Sequence, residues 1–195
     1  MEELVAAFDV KNVNPNPARF DQKKADAINA AHIRLLTLDD FKSRLMPYLQ
    51  SAGVVGATLT AEEDAILTAV APLIQERLVV LSEAPDLVSF LFKTADQIVI
   101  EDDAKAGLPE NTAEVLNAAV VALEPIAEAD FKTEAVQAAL QAALIDGLGL
   151  KPRVAFGPLR TGISGRRISP PLFESMEILG KAETIARLTA FASAA

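Results

Sequence analysis

Five cations and no acid fall between Lys151 and Pro171: Lys151, Arg153, Arg160, Arg166 and Arg167. The chain carries −9 overall, so these five leave −14 on the remainder. Guanidinium groups donate to phosphates and base edges, and their planes stack on bases. A basic, Gly/Pro-rich loop on an acidic body is compatible with an anion site, though on charge alone a surface loop solvated by its arginines is the simpler reading. Arg77 is the second unusual cation. With Ile66 at zero on a helix of about 100° per residue, Val70 lies at ~40°, Leu73 at ~340° and Arg77 at ~20°. A charge on that apolar stripe must pair, snorkel, or lie where the stripe leaves the core. Other chemistry is scarce. The single His32 sits among apolar helix neighbours and reads as a packing or hydrogen-bonding residue. Absence of Cys removes disulfides, thiolate metal sites and thiol nucleophiles together. Glu101, Asp102 and Asp103 lack the alternating ligand spacing of a calcium loop. No Gly-rich phosphate loop follows a strand. The residues predict no self-sufficient active site and no metal site.

The elements that must position these arginines are helices. Asn12, Asn14, Pro15, Asn16 and Pro17 predict a loop over residues 1–20. Asp21 predicts an N-cap for a helix through QKKADAINAAHIRLL, with Ile28, His32 and Leu35 on one face. Thr37 with Asp40 resembles a capping box opening LDDFKSRLMPYL, which Pro47 should bend or shorten. Thr60 with Glu63 is a better box. The helix behind it carries Ile66, Leu67, Val70, Leu73, Ile74, Leu78 and Leu81, interrupted by Pro72. A shorter helix, LVSFLF, follows. QIVI reads as a short extended piece and EDDAKAG as a solvated loop. Helices are expected over 110–127 and from Thr133 until Gly147 and Gly149 stop the second. After the basic 151–171 stretch, LFESMEILG and AETIARLTAFA form two short helices. The class is all-α.

Half of the residues are hydrophobic, enough for one or two helical domains with a real core. No apolar run reaches the ~18 residues of a membrane span. The acidic start Met1-Glu2-Glu3 is unlike a secretory signal, so the expected compartment is the cytoplasm. Net acidity argues against indiscriminate nucleic-acid binding but leaves room for a local basic site.

Two segments go beyond class: NPNPARFDQKKADAINAAHIR at 14–34 and FGPLRTGISGRRISPPLFESMEILGK at 156–181. Both resemble bacterial glutamyl-tRNA synthetases, of the class I aminoacyl-tRNA synthetases. The likeness runs in order along nearly the whole chain and is looser around 95–150. It implies a multihelical anticodon-binding domain of two helical subdomains, 38–93 and 94–195, preceded by a stem-contact remnant at 1–37. The family's catalytic Rossmann domain should precede this sequence, yet its HIGH-type and KMSKS-type motifs are absent. The resemblance therefore implies a C-terminal fragment that holds no catalytic residue and no cofactor and does not activate glutamate alone. The parent would be a glutamate–tRNA ligase using ATP and Mg²⁺.

The resemblance also assigns roles. Arg77, upstream of Phe90-Leu91-Phe92, takes the place of the arginine that reads the third anticodon base. Arg160 matches a base-contacting arginine. Ser169, Pro170 and Leu172 match a small contact loop, with Ser where some members have Thr. Lys151, Arg153, Arg166 and Arg167 would contact tRNA phosphates. The implied partner is tRNA-Glu, with tRNA-Gln also charged by some members, and the chain should be a monomer. Two alternatives stay open: a helical protein-interaction domain with no RNA role, and a free-standing homologue using the fold elsewhere.

Overall fold

A computed structural model describes residues 1–13 and 19–194. The Asn/Pro punctuation at Asn14, Pro15, Asn16 and Pro17, and the start of the 14–34 segment, lie outside the described residues. The rest of the first stretch departs from the loop expectation. Glu2–Ala7 is a short helix, α1, and Val10–Asn12 a 3₁₀ turn whose N-cap Asp9 accepts from the Lys11 amide at 2.9 Å. Neither buries a residue.

The three predicted caps start the next three helices. Asp21 accepts from the Lys24 amide at 3.2 Å and opens α2, Gln22–Arg34. Thr37 accepts from the Asp40 amide at 3.2 Å and opens α3, Leu38–Ser51. Thr60 and Glu63 bond reciprocally, at 3.1 and 2.7 Å, and open α4, Ala61–Gln75. Such a box satisfies two amides that the first helical turn leaves without partners. On α2 the buried residues are Ala30 and Ile33; the Ile28–His32–Leu35 face is exposed, with Leu35 at 79%. Pro47 and Pro72 lie inside α3 and α4, and both helices continue past them. Helix α4 ends at Gln75, short of the predicted Leu81.

A 3₁₀ turn at Leu81–Glu83, helix α5 at Ala84–Val88 and a second 3₁₀ turn at Ser89–Phe92 complete the first helical group. Its centre is Phe41, Leu45, Leu49, Leu67, Val70, Ile74, Leu78 and Val88, all fully buried. Each large aliphatic burial stabilises by about 1.5–3 kcal/mol before entropy is counted. Residues 98–100 form no regular element, Ile98 being extended; Ile98 and Ile100 pack on the core while Val99 is exposed. The stretch read as a solvated loop holds helix α6, Asp102–Lys105, with Ala104 buried.

The second group is α7, Thr112–Leu123; α8, Thr133–Leu140; α9, Pro152–Ser164; and α10, Leu172–Ala192. Helix α8 passes into a π-helical segment, Gln141–Gly147, before Gly147 and Gly149 end it. The two expected C-terminal helices are the halves of α10, broken at Gly180 with φ 77° and ψ 167°. Helix α10 packs along α7 and also against α4, α8 and α9. One core runs unbroken from Ile33 to Phe191. No residue among those described is in a strand.

The main correction concerns 151–171. Most of it is helix rather than loop: Lys151 holds the N-cap position of α9 and Pro152 starts it, where proline's missing amide costs nothing, and only 165–171 remains non-helical. Gly162 lies inside the helix because Phe191 and Leu188 press on it. A Cβ there would sit 3.0 Å from Phe191 Cδ1.

Candidate nucleic-acid interface

Helix α9 carries Arg160 on its last full turn, half-buried. The helix ends at Gly165, whose φ of 77° closes the turn toward Arg166. A Cβ at 165 would clash with the Val99 carbonyl oxygen, so only glycine fits. The Gly165 carbonyl accepts from the Glu101 amide at 2.9 Å, anchoring the α9 end to the segment before α6. The chain then returns through Ser169 and Pro170 to the start of α10 at Leu172.

This return brings Arg160 against Ser169 and Pro170. Arg160 Nη1 donates to Ser169 Oγ at 2.5 Å, to the Pro170 carbonyl at 2.9 Å and to the Ser169 carbonyl at 3.3 Å. Ser169 Oγ in turn donates to the Pro170 carbonyl at 3.0 Å. Arg77 reaches the same place from the other helical group. It follows the C-cap Glu76 of α4, its amide donates to the Ile74 carbonyl at 2.9 Å, and its Nη1 donates to the Ser169 carbonyl at 3.3 Å. Of the three fates open to a charge on that stripe, Arg77 takes the third. The stripe leaves the core when α4 ends, and the guanidinium turns to a carbonyl across the groups.

Four of the sequence-predicted residues therefore meet in one place, Arg77, Arg160, Ser169 and Pro170, and Leu172 follows two positions on, at the start of α10. Their exposures differ. Arg77 is exposed and Arg160 half-buried, whereas Ser169, at 4%, and Leu172 are buried. Burial, and then the neighbouring Arg77 charge, lower the Arg160 pKa; Glu174 on the first turn of α10 opposes them. Two cations thus share one acceptor with one carboxylate nearby. Such a cluster favours an incoming anion or an acceptor-rich edge.

The four remaining cations separate. Arg166 is committed to the protein: Nε pairs with Glu101 at 2.8 Å, Nη1 donates to the Asp86 carbonyl at 2.6 Å and Nη2 faces Asp86 Oδ1 at 3.4 Å. It clasps α5 to the segment before α6. Lys151, Arg153 and Arg167 are exposed and form no ion pair among the described residues. Lys151 and Arg153 lie at the N-terminal end of α9 and Arg167 beyond its C-terminal end, so the basic stretch presents charge at two places.

One buried arginine is absent from the residues singled out in the sequence. Arg187 on α10 is 2% exposed. Its Nε pairs with Glu183 at 2.7 Å, Nη1 donates to the Ile163 carbonyl at 2.7 Å and Nη2 to the Lys93 carbonyl at 2.5 Å. Burial lowers its pKa and Glu183 opposes the shift. It pins α10 and the C-terminal turn of α9 to the end of the first helical group. The Glu183-x-x-x-Arg187 spacing, one helical turn apart, was the available clue.

Among the described residues no group of three or more His, Asp or Glu could hold a metal ion. No helix among them is long and apolar enough to cross a membrane.

The chain is similar to known proteins along nearly its whole length. The anticodon binding domain family matches residues 40–192. A glutamate–tRNA ligase of Arthrobacter sp. (strain FB24) is 60% identical over 191 residues, which are 98% of this chain and 38% of that protein. One from Leifsonia xyli subsp. xyli is 56% identical over 194 residues, covering 100% of this chain and 40% of its own length. The chain thus spans about two fifths of the curated relatives it matches. The crystal structure of a glutamate tRNA ligase from Elizabethkingia meningosepticum, in complex with its amino acid, superposes with a TM-score of 0.76 at 22% identity, over 98% of this chain and 36% of that one. At that identity the likeness speaks for the fold.

Proposed function

The chain belongs to the anticodon binding domain family, and on that premise we propose that it recognises the anticodon arm of tRNA-Glu within a glutamate–tRNA ligase. The observation that carries the reading is the convergence of Arg77 and Arg160 on the Ser169 carbonyl. Each guanidinium spends Nη1 on the protein and keeps further N–H groups for a splayed base. Arg77 reads the third anticodon base, and Arg160, held by the Ser169–Pro170 turn ahead of the buried Leu172, serves the others. Lys151, Arg153 and Arg167 supply phosphate contacts, which position the RNA without reading it. Arg166 acts one step removed, because its ion pairs hold the turn between Gly165 and Ser169.

A longer protein containing this domain joins glutamate to tRNA with ATP and Mg²⁺ in the cytoplasm. The 195-residue chain binds tRNA as a monomer and gives no glutamate-dependent ATP–pyrophosphate exchange.

The test is a salt titration of tRNA-Glu binding with Arg160→Ala beside the wild type. Affinity should fall as salt rises, because phosphate contacts displace counterions. Arg160→Ala should cost about 1–3 kcal/mol on tRNA-Glu and less on an unrelated tRNA. Equal loss on every tRNA would make Arg160 a phosphate contact. Undetectable tRNA binding at low salt would favour the protein-interaction reading.

A further inference from the structure

The resemblance treats Arg77 and Arg160 as two readers in two subdomains, each addressing its own base. Their geometry joins them. Both donate through Nη1 to one oxygen, the Ser169 carbonyl, at 3.3 Å each. That oxygen belongs to a residue only 4% exposed, whose hydroxyl is occupied by Arg160 and by the Pro170 carbonyl. The Ser169 side chain therefore has its hydrogen bonds inside the protein. Leu172 is likewise buried, at the first position of α10.

We propose that Arg77 and Arg160 form a single coupled reading unit, with the Ser169 carbonyl as the bracket that fixes both guanidinium groups. Ser169 and Leu172 are positioning residues in this account. Moving either guanidinium changes the acceptor available to the other. Removing Arg160 also withdraws three hydrogen bonds from the 169–170 turn and frees the carbonyl that aims Arg77. Occupancy of one reader thereby biases the other, and the anticodon is read as a block.

The inference rests on the RNA reading above, and the experiment separates the two. Dissociation constants are measured for the 195-residue chain with a fluorescent hairpin carrying the tRNA-Glu anticodon arm. The proteins are wild type, Arg77→Gln, Arg160→Gln and the double variant, at one salt concentration. Residues sharing a hydrogen-bond network give non-additive losses, while independent sites add. Each single variant should weaken binding by about 5- to 150-fold, the worth of one good base contact. The double variant should be no more than about threefold weaker than the worse single variant. A double loss equal to the product of the single losses overturns the coupling while leaving RNA recognition intact.

A second measurement needs no RNA. In ¹⁵N-labelled protein, Arg160→Gln should displace the Nε–Hε resonance of Arg77, although the two residues lie in different helical groups. Unchanged Arg77 signals would also overturn the bracket. If the wild type binds the hairpin no better than one with a scrambled anticodon, the RNA reading falls, whatever the resonance does. Where Arg160→Gln fails to fold, Arg160→Lys replaces it in the cycle. One ammonium keeps the charge but not the planar donor fork.

Discussion

Arg187 shows what a single side chain does in this protein. Its guanidinium is out of water, and three protein acceptors replace the water it lost. Removing one partner of a buried charged network is costly because the others remain desolvated. Arg187→Met should therefore lower unfolding stability by about 3 kcal/mol, leaving the Ile163 and Lys93 carbonyls and Glu183 without it. A urea midpoint within error of the wild type would show that the network contributes nothing net. Arg166 is the contrasting case. Its pairs with Asp86 and Glu101 are partly solvated, so Arg166→Ala should cost no more than about 1 kcal/mol, with the loss shrinking in high salt. Arg77 and Arg160 were legible from sequence, one by its place on a wheel and both by resemblance. Arg187 was not, because nothing in AETIARLTAFA says that its face looks inward at two carbonyls from other elements.

At the scale of elements, hydrogen bonds at helix ends decide most of what can be tested. Glu177 on α10 accepts from both the hydroxyl and the amide of Thr133, each at 2.6 Å, at the start of α8. The Thr133 hydroxyl and then its amide hold the Glu177 carboxyl below its ordinary 4.5. A depressed carboxylate pKa gives stability that is present above the ordinary value and lost as pH falls through the folded one. Stability should therefore decline below pH 4.5. Glu177→Gln should flatten that part of the curve and cost about 1 kcal/mol at neutral pH. An unchanged pH profile would remove Glu177 from the account. Gly165 makes a second test. Its φ of 77° and the clash that a Cβ would make with the Val99 carbonyl oxygen act together, so Gly165→Ala should cost about 2–4 kcal/mol. Gly149, with a similar φ of 65° and open space around it, should cost about 1 kcal/mol as alanine. Equal thermal shifts for the two would refute the steric argument.

The same elements explain what the sequence could and could not reveal. The starts of α2, α3 and α4 were readable because capping is local: Asp21, Thr37 and Thr60 bond to amides three residues on. The sequence of α9 resembles a loop because Gly157, Pro158 and Gly162 are loop residues by composition. Gly162 is there instead for close packing against Phe191, a contact made from another helix. The early end of α4 had a related cause. Leu78 and Leu81 continue the helical spacing, yet Leu78 reaches the core from beyond the helix. Periodicity reports which residues are apolar, not which backbone delivers them.

For the whole molecule, the central fact is a continuous core with α10 running beside both helical groups. That continuity lets Arg77 from one group meet Arg160 from the other at a fixed oxygen. An acidic body of net charge −9 holds this cationic point; in the proposed reading nonspecific attraction to RNA is therefore weak and discrimination falls to the two arginines. The most direct measurement uses two transcripts: tRNA-Glu, and the same molecule with its third anticodon base changed from C to G. The account predicts that the wild-type chain binds the C transcript about 5- to 150-fold more tightly. With Arg77→Gln the two affinities should converge while the thermal midpoint stays within a few degrees. Equal affinity of the wild type for both transcripts would contradict the claim that this domain reads the anticodon.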